Sequence, residues 1–142
     1  MKVKVSRGQR KAYSKMSARL KKNVESSVIE ATEELKRQIE AKTPVDTGLL
    51  RNSYIIEYRN MGGTYTSIIS NKQYYLTYLI HGTGIYTPGG RQGGWVYKDS
   101  KGDYHFTYGM RPNDFITPTV NSYRDTLRKH IRVAIEDTFR GE

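Results

Sequence analysis

The sequence predicts an α+β fold: a long N-terminal helix and a C-terminal helix packed on one face of an antiparallel sheet made of two hairpins. Three features carry this expectation. The chain begins and ends in segments whose apolar residues recur every three or four positions, so each helix has one face to bury. Between them lie two stretches of alternating apolar and polar residues that each turn back on themselves, as half-buried hairpins do. The chain has 142 residues, enough for one hydrophobic core, which one-sided helices and hairpins must then share.

The expected organisation is a flexible basic arm, residues 1–15, followed by a single α+β domain, residues 16–142. Nine basic residues and no acidic one lie between Lys2 and Lys22, against 15 basic and 14 acidic in the remainder, so the net charge of +10 sits at one end. Such a segment attracts phosphate or an acidic protein surface, with Lys2, Lys4, Arg7, Arg10, Lys11 and Lys15 as the expected contacts. A solvated tail that aids solubility is the plainer alternative. Cations at a helix N-terminus oppose the macrodipole at a cost of about 0.3 kcal/mol or more each. The arm is therefore expected to fray and to order on meeting its partner. From Met16 the stripe Met16, Leu20, Val24, Val28, Ala31, Leu35 and Ile39 predicts a sustained helix, with Glu25, Glu30, Glu33, Glu34, Lys36 and Arg37 on the solvated side.

Pro44 ends that helix and moves Thr43 out of the helical region, while Gly48 suits the positive φ of a turn. Asp46 and Thr47 are expected to bond nearby amides, with Asp46 capping a short helical turn near Gly48 and Arg51 closing over it. A charged contact of Asp46 and Arg51 with a neighbouring subunit is the functional alternative. Tyr54, Ile56 and Tyr58 alternate with polar neighbours as a strand, Asn60 to Thr64 forms a turn, and Tyr65 to Ser70 returns. Tyr74 to Ile80 reads as helical or extended. Six glycines between Gly82 and Gly94 predict a loop of high conformational entropy. Trp95 to Lys98 and Tyr104 to Tyr108 predict the second hairpin, with Tyr104, Phe106 and Tyr108 on one face. Thr117 as N-cap and Pro118 at the first turn open the last helix. Its stripe is Val120, Tyr123, Leu127, Ile131, Ala134 or Ile135, and Phe139, and Gly141 follows its end.

Three segments resemble, in order, the signatures of a known family. Thr43-Pro44-Val45-Asp46-Thr47-Gly48, with Leu50, Arg51 and Ser53, is similar to its "TPVDTG-x-LR-x-S". Tyr75 to Thr83 is similar to its "YA-x-Y-[VIL]-E-x-GT", and Gly109 to Thr119 to its "G-x-x-P-x-PF-[LI]-x-PA". The family is that of tail-completion, or head-to-tail joining, minor tail proteins of long-tailed bacteriophages. The resemblance spans about Met16 to Phe139. It implies a small α+β virion component placed where tail meets head, with no known chemistry. It also implies that Pro44, Asp46, Thr47, Gly48 and Arg51 shape the first corner and Gly82 and Thr83 the central loop, while Pro112, Phe115 and Pro118 anchor the last helix. It favours a short helix before His81. His81 stands where the family often has a glutamate nearby, Asp114 replaces a proline and Thr119 an alanine.

Other functional classes find little support in the sequence. Without cysteine there is no disulfide and no thiolate ligand or nucleophile. His81, His105 and His130 lack metal-ligand spacing, and His105 and His130 are expected to face solvent. No nucleophile elbow, P-loop or dinucleotide fingerprint occurs. No enzyme activity and no cofactor are expected. No run approaches the roughly 18 apolar residues of a membrane span, so a soluble protein made in the cytoplasm is expected, with no membrane partner, and the resemblance implies a host cell as the place of assembly and the virion as the destination. Ten tyrosines from Tyr54 to Tyr108 invite base stacking, yet few cations accompany them. Core or protein-interface use fits them better. The expected function is protein–protein binding in head-to-tail joining or tail completion, as a homo-oligomeric ring contacting a connector, tail terminator or tail tube. The alternative is a small basic protein that binds nucleic acid, without sequence preference, through its arm.

Overall fold

The computed structural model describes residues 4–140. In chain order it contains helix α1 (Arg7–Lys42), a 3-10 turn (Arg51–Ser53), strands β1 (Tyr54–Met61) and β2 (Thr64–Asn71) and helix α2 (Leu76–His81). A second 3-10 turn (Gly84–Tyr86), strands β3 (Trp95–Lys98) and β4 (Tyr104–Thr107) and helix α3 (Ile116–Arg140) follow. The fold is α+β, and each hairpin is its own two-stranded sheet, β1 with β2 and β3 with β4. Gly62 and Gly63 both take positive φ in the two-residue β1–β2 turn, which matches the twist of the strands it joins. β3 and β4 are antiparallel, with Trp95 opposite Thr107 and Lys98 opposite Tyr104. Lys2 and Gly141 lie outside the described residues.

The chain forms two compact units, one running through Gln38, then Ile56–Ile69, then from Val120 onward, the other Ile39–Ile55 and Ser70–Thr119. In the first unit α1 and α3 run antiparallel, since Asn23 Nδ2 donates to Thr138 Oγ1 at 2.9 Å and Tyr123 OH to Glu34 Oε2 at 3.1 Å. Their buried residues are small: Ser27, Ala31 and Thr32 on α1, Ala134 and Thr138 with the one large ring of Tyr123 on α3. The first hairpin packs on α1 through Thr32 against Ser67 and Glu33 against Tyr58.

α1 starts at Arg7, earlier than the apolar stripe that begins at Met16. Ser6 and Gln9 explain this. Ser6 Oγ accepts from the Gln9 amide at 3.2 Å and Gln9 Oε1 accepts from the Ser6 amide at 2.8 Å, a reciprocal capping box. The stripe of α3 also sits differently from expectation. Val120 and Phe139 are exposed, while Thr119 and Thr138 are buried. Threonine tolerates this because its hydroxyl donates to the carbonyl four residues back, as Thr119 does to Phe115 (2.6 Å) and Thr138 to Ala134 (2.8 Å). His130, expected on the solvated side, is half-buried with Nε2 3.4 Å from Glu34 Oε2.

Burial of Tyr123, then its bond to the Glu34 carboxylate, pushes the phenol pKa from 10 up to about 12. The folded state thus holds this proton more tightly than the unfolded chain. The contribution is complete below pH 10 and is lost as pH rises from 10 towards 12. Denaturant midpoints should fall across that window, and Tyr123→Phe should flatten the fall. The phenols of Tyr54 and Tyr58, also raised mainly by burial, supply what slope remains. A mutant slope equal to that of the parent would refute the assignment.

The second unit is centred on Ile39, Thr43, Leu50, Tyr54 and Phe115, all buried. Thr43 Oγ1 donates to the Ile39 carbonyl at 2.8 Å and lies 3.1 Å from Tyr54 OH. Asn71 Nδ2 donates to the Leu50 carbonyl at 2.8 Å and Gln73 Nε2 to Ser53 Oγ at 3.1 Å, tying the far end of the first hairpin to the corner.

Candidate docking groove

The corner between α1 and β1 begins where Pro44 stops the helix, and Gly48 there has φ of 80°. Thr47 Oγ1 accepts from the Leu49 amide at 3.4 Å and Asn52 N donates to the Gly48 carbonyl at 3.1 Å. Asp46 does not cap: the 3-10 turn follows Leu50 with no side-chain cap, and Asp46 is exposed. Its turn starts too far along the chain for a residue at position 46 to reach the free amides. Arg51 folds back on the helix end, donating from Nη2 to the Thr43 carbonyl at 3.1 Å, while its buried Nε has no partner.

The second and third motifs are joined to each other by backbone bonds. Thr83 N donates to the Met110 carbonyl and Met110 N to Thr83 Oγ1, both at 2.9 Å, and Asn113 N donates to the Leu79 carbonyl at 2.9 Å. Gly82 is pressed against this junction, since a Cβ there would lie 2.7 Å from the Met110 oxygen and 2.8 Å from Pro112 Cδ. The last helix is capped by Asp114, in place of the expected Thr117. Its Oδ1 accepts from the Ile116 amide at 3.1 Å and the Thr117 amide at 3.0 Å. The Thr117 hydroxyl and these amides hold the Asp114 carboxyl below its ordinary pKa. Phe115 is buried behind it, and Pro118 is exposed in the first turn of α3.

These motifs meet around one apolar groove of about 360 Å³. The first motif supplies Pro44, Val45, Asp46, Thr47, Gly48 and Leu50, the second Tyr75, Tyr78 and Leu79, and the third Met110. Val45, Leu49, Tyr74, Tyr78 and Met110 are exposed large apolar side chains in the same segments. Of the expected structural residues, Pro44, Asp46, Thr47 and Gly48 line the groove, while Arg51 bonds to the Thr43 carbonyl, Gly82 and Thr83 meet Met110 and Pro112, Phe115 is buried in the same unit and Pro118 is exposed on α3. Val45, Tyr75, Tyr78, Leu79 and Met110 were not singled out from the sequence, although three lie within the motif that ends at Thr83.

His105 Nε2 lies 2.8 Å from Asp99 Oδ2, and Asp99 Oδ1 also accepts the Lys101 and Asp103 amides at 2.9 Å, so this pair fastens the β3–β4 turn. The bond to His105, then the Asp103 amide, lowers the Asp99 pKa. Among the described residues no group of three or more His, Asp or Glu side chains could hold a metal, and no helix is long and apolar enough to cross a membrane. The second hairpin exposes Val96, Tyr97, Tyr104 and Phe106. Lys98 lies over the Tyr104 ring at 5.5 Å and Arg91 over Trp95 at 5.6 Å. Lys4, Arg7, Arg10, Lys11 and Lys15 belong to the other unit and are exposed.

No curated protein and no solved structure matches the chain. A family model described as "Bacteriophage HK97-gp10, putative tail-component" matches residues 10–82, from the first turns of α1 to the end of α2. That match covers more than half of the 142 residues and includes most of the groove, and the chain belongs to this HK97-gp10-like family of bacteriophage tail components.

Proposed function

We propose that this tail component acts in head-to-tail joining or tail completion, binding neighbouring neck and tail proteins through the groove and performing no catalysis. The observation that supports this reading is the convergence of three separated motifs on one apolar groove whose rim carries exposed Val45, Tyr78 and Met110. A surface that gathers apolar and aromatic side chains suits burial against a partner. The partners are connector, tail terminator or tail tube subunits and further copies of the chain in a ring. Assembly takes place in the host cytoplasm, and the virion neck or tail is the final location.

The test is a phage carrying Val45→Asp with Tyr78→Ala. Two interface anchors of about 2 kcal/mol each correspond to a contact weakened on the order of a thousandfold. Infected cells should accumulate full heads and finished tails that remain unjoined in electron micrographs, while the purified variant melts as the parent does. Joined, infectious particles at parental yield would remove the proposal. The nucleic-acid reading rests on the exposed cations of α1. It requires duplex binding that falls by orders of magnitude as salt rises and that disappears when those cations are replaced.

A further inference from the structure

One exposed stripe of α1 is divided into a basic and an acidic half, and the acidic half runs beside the first hairpin, where Tyr58 OH donates to Glu33 and Glu25 and Ile29 border a cleft with Tyr58 and Tyr65. Arg7, Lys11, Lys15, Lys22, Glu25, Ile29 and Glu33 follow one another at steps of three, four or seven, which places them on one stripe of the helix. All seven are exposed. From Asn23 to Leu35 the charges are Glu25, Glu30, Glu33 and Glu34 with no lysine or arginine, the reverse of the segment ending at Lys22. Among the described residues none of Arg7, Lys11, Lys15 and Lys22 is ion-paired. The halves adjoin only where Lys22 neighbours Glu25, and the rest cannot meet on one helix, since Lys11 and Glu33 are separated by about 33 Å along the axis. Residues 7–16 are exposed on every side of the helix, Tyr13 at 76% and Met16 at 45% included, so this segment is uncovered and carries apolar as well as charged surface.

We propose that the basic segment of α1, residues 7–22, docks on the acidic stripe Glu25–Glu33 of a second copy of this chain. Charge complementarity selects that occupant. Opposite charges occupy adjoining stretches of one exposed helix, with Glu33 also accepting the Tyr58 hydroxyl, and a second copy presents Glu25 and Glu33 at the same eight-residue spacing as Arg7 and Lys15. The inference rests on the reading of the chain as one of several copies in an assembled tail part, and it names the contact between those copies.

The full chain is examined by sedimentation equilibrium at low and high salt. Self-association should be present at low salt and fall as salt rises. Lys11→Glu with Lys15→Glu, and separately Glu25→Lys with Glu33→Lys, should each weaken it on the order of tenfold or more, whereas mixing the two reversed chains should restore association between them. Circular dichroism melts check that each variant is folded. Because the chain has no cysteine, Lys11→Cys on one copy and Glu33→Cys on another give a second reading, a disulfide-linked pair formed only on mixing. Unchanged association in both reversed variants, a mixture that stays monomeric, or loss of duplex DNA binding as the sole effect of the lysine reversals would overturn the contact. If groove variants block joining while the reversals do nothing, this inference fails and the joining role stands; the opposite pattern separates them the other way.

Discussion

Gly84→Ala is expected to destabilise the second unit by at least about 3 kcal/mol, because it combines a left-handed backbone with a clash against main chain. Gly84 has φ of 62°, and a Cβ there would overlap the Tyr108 carbonyl oxygen and lie 2.8 Å from the Gly109 Cα. No side-chain rotation relieves this. The two segments are already joined by Ile85 N to the Tyr108 carbonyl at 3.0 Å and Thr83 N to the Met110 carbonyl at 2.9 Å. Gly109, with φ of 126°, faces the same crossing from the other side, its own Cβ position overlapping the Thr83 oxygen. Denaturant titration followed by tyrosine fluorescence measures the loss, and amide exchange locates it at Ile85 and Thr83. A variant within about 1 kcal/mol of the parent would mean that the crossing is far looser than the backbone bonds indicate.

Phe115→Ala should cost about 3–5 kcal/mol, the usual range for removing a buried phenylalanine ring. Phe115 is 8% exposed, and its carbonyl receives the Thr119 hydroxyl, so the ring and the first turn of α3 are placed together. The cavity would open beside the Asp114 cap, whose carboxylate accepts the Ile116 and Thr117 amides. Urea midpoints measure the effect. A loss under about 1 kcal/mol would show that the site collapses onto the gap and that Phe115 anchors little.

The two long helices and the two hairpins were legible because each announced itself locally, by a stripe at helical spacing, a proline stop, period-two strands or a two-glycine turn, whereas the short helix α2 read as helical or extended and the Gly84–Tyr86 turn fell within an expected loop. The starts of the helices were less so. Ser6-x-x-Gln9 was a readable capping box, outweighed by the run of cations that follows it. Asp114 was read as a departure from a family proline, yet a carboxylate two residues ahead of Ile116 is itself a capping signal. The inward faces of α3 were misjudged at both ends because hydrophobicity ranks valine and phenylalanine above threonine, whereas packing of closely spaced helices favours the smaller side chain with a self-bonded hydroxyl. The groove was visible only as three separate motifs. Their meeting depends on long-range backbone pairing, such as Asn113 with Leu79, that no local pattern encodes.

The threonines carry one further consequence. A hydroxyl has a single proton, and Thr32, Thr43 and Thr138 each place it on the carbonyl four residues back, at 2.6, 2.8 and 2.8 Å. Their remaining lone pairs must then be met by donors from another element: Ser67, Tyr54 and Asn23 respectively. Each junction accepts a partner from one direction only, so these interiors act less as adhesive than as keyways, setting the angle at which one element seats on the next.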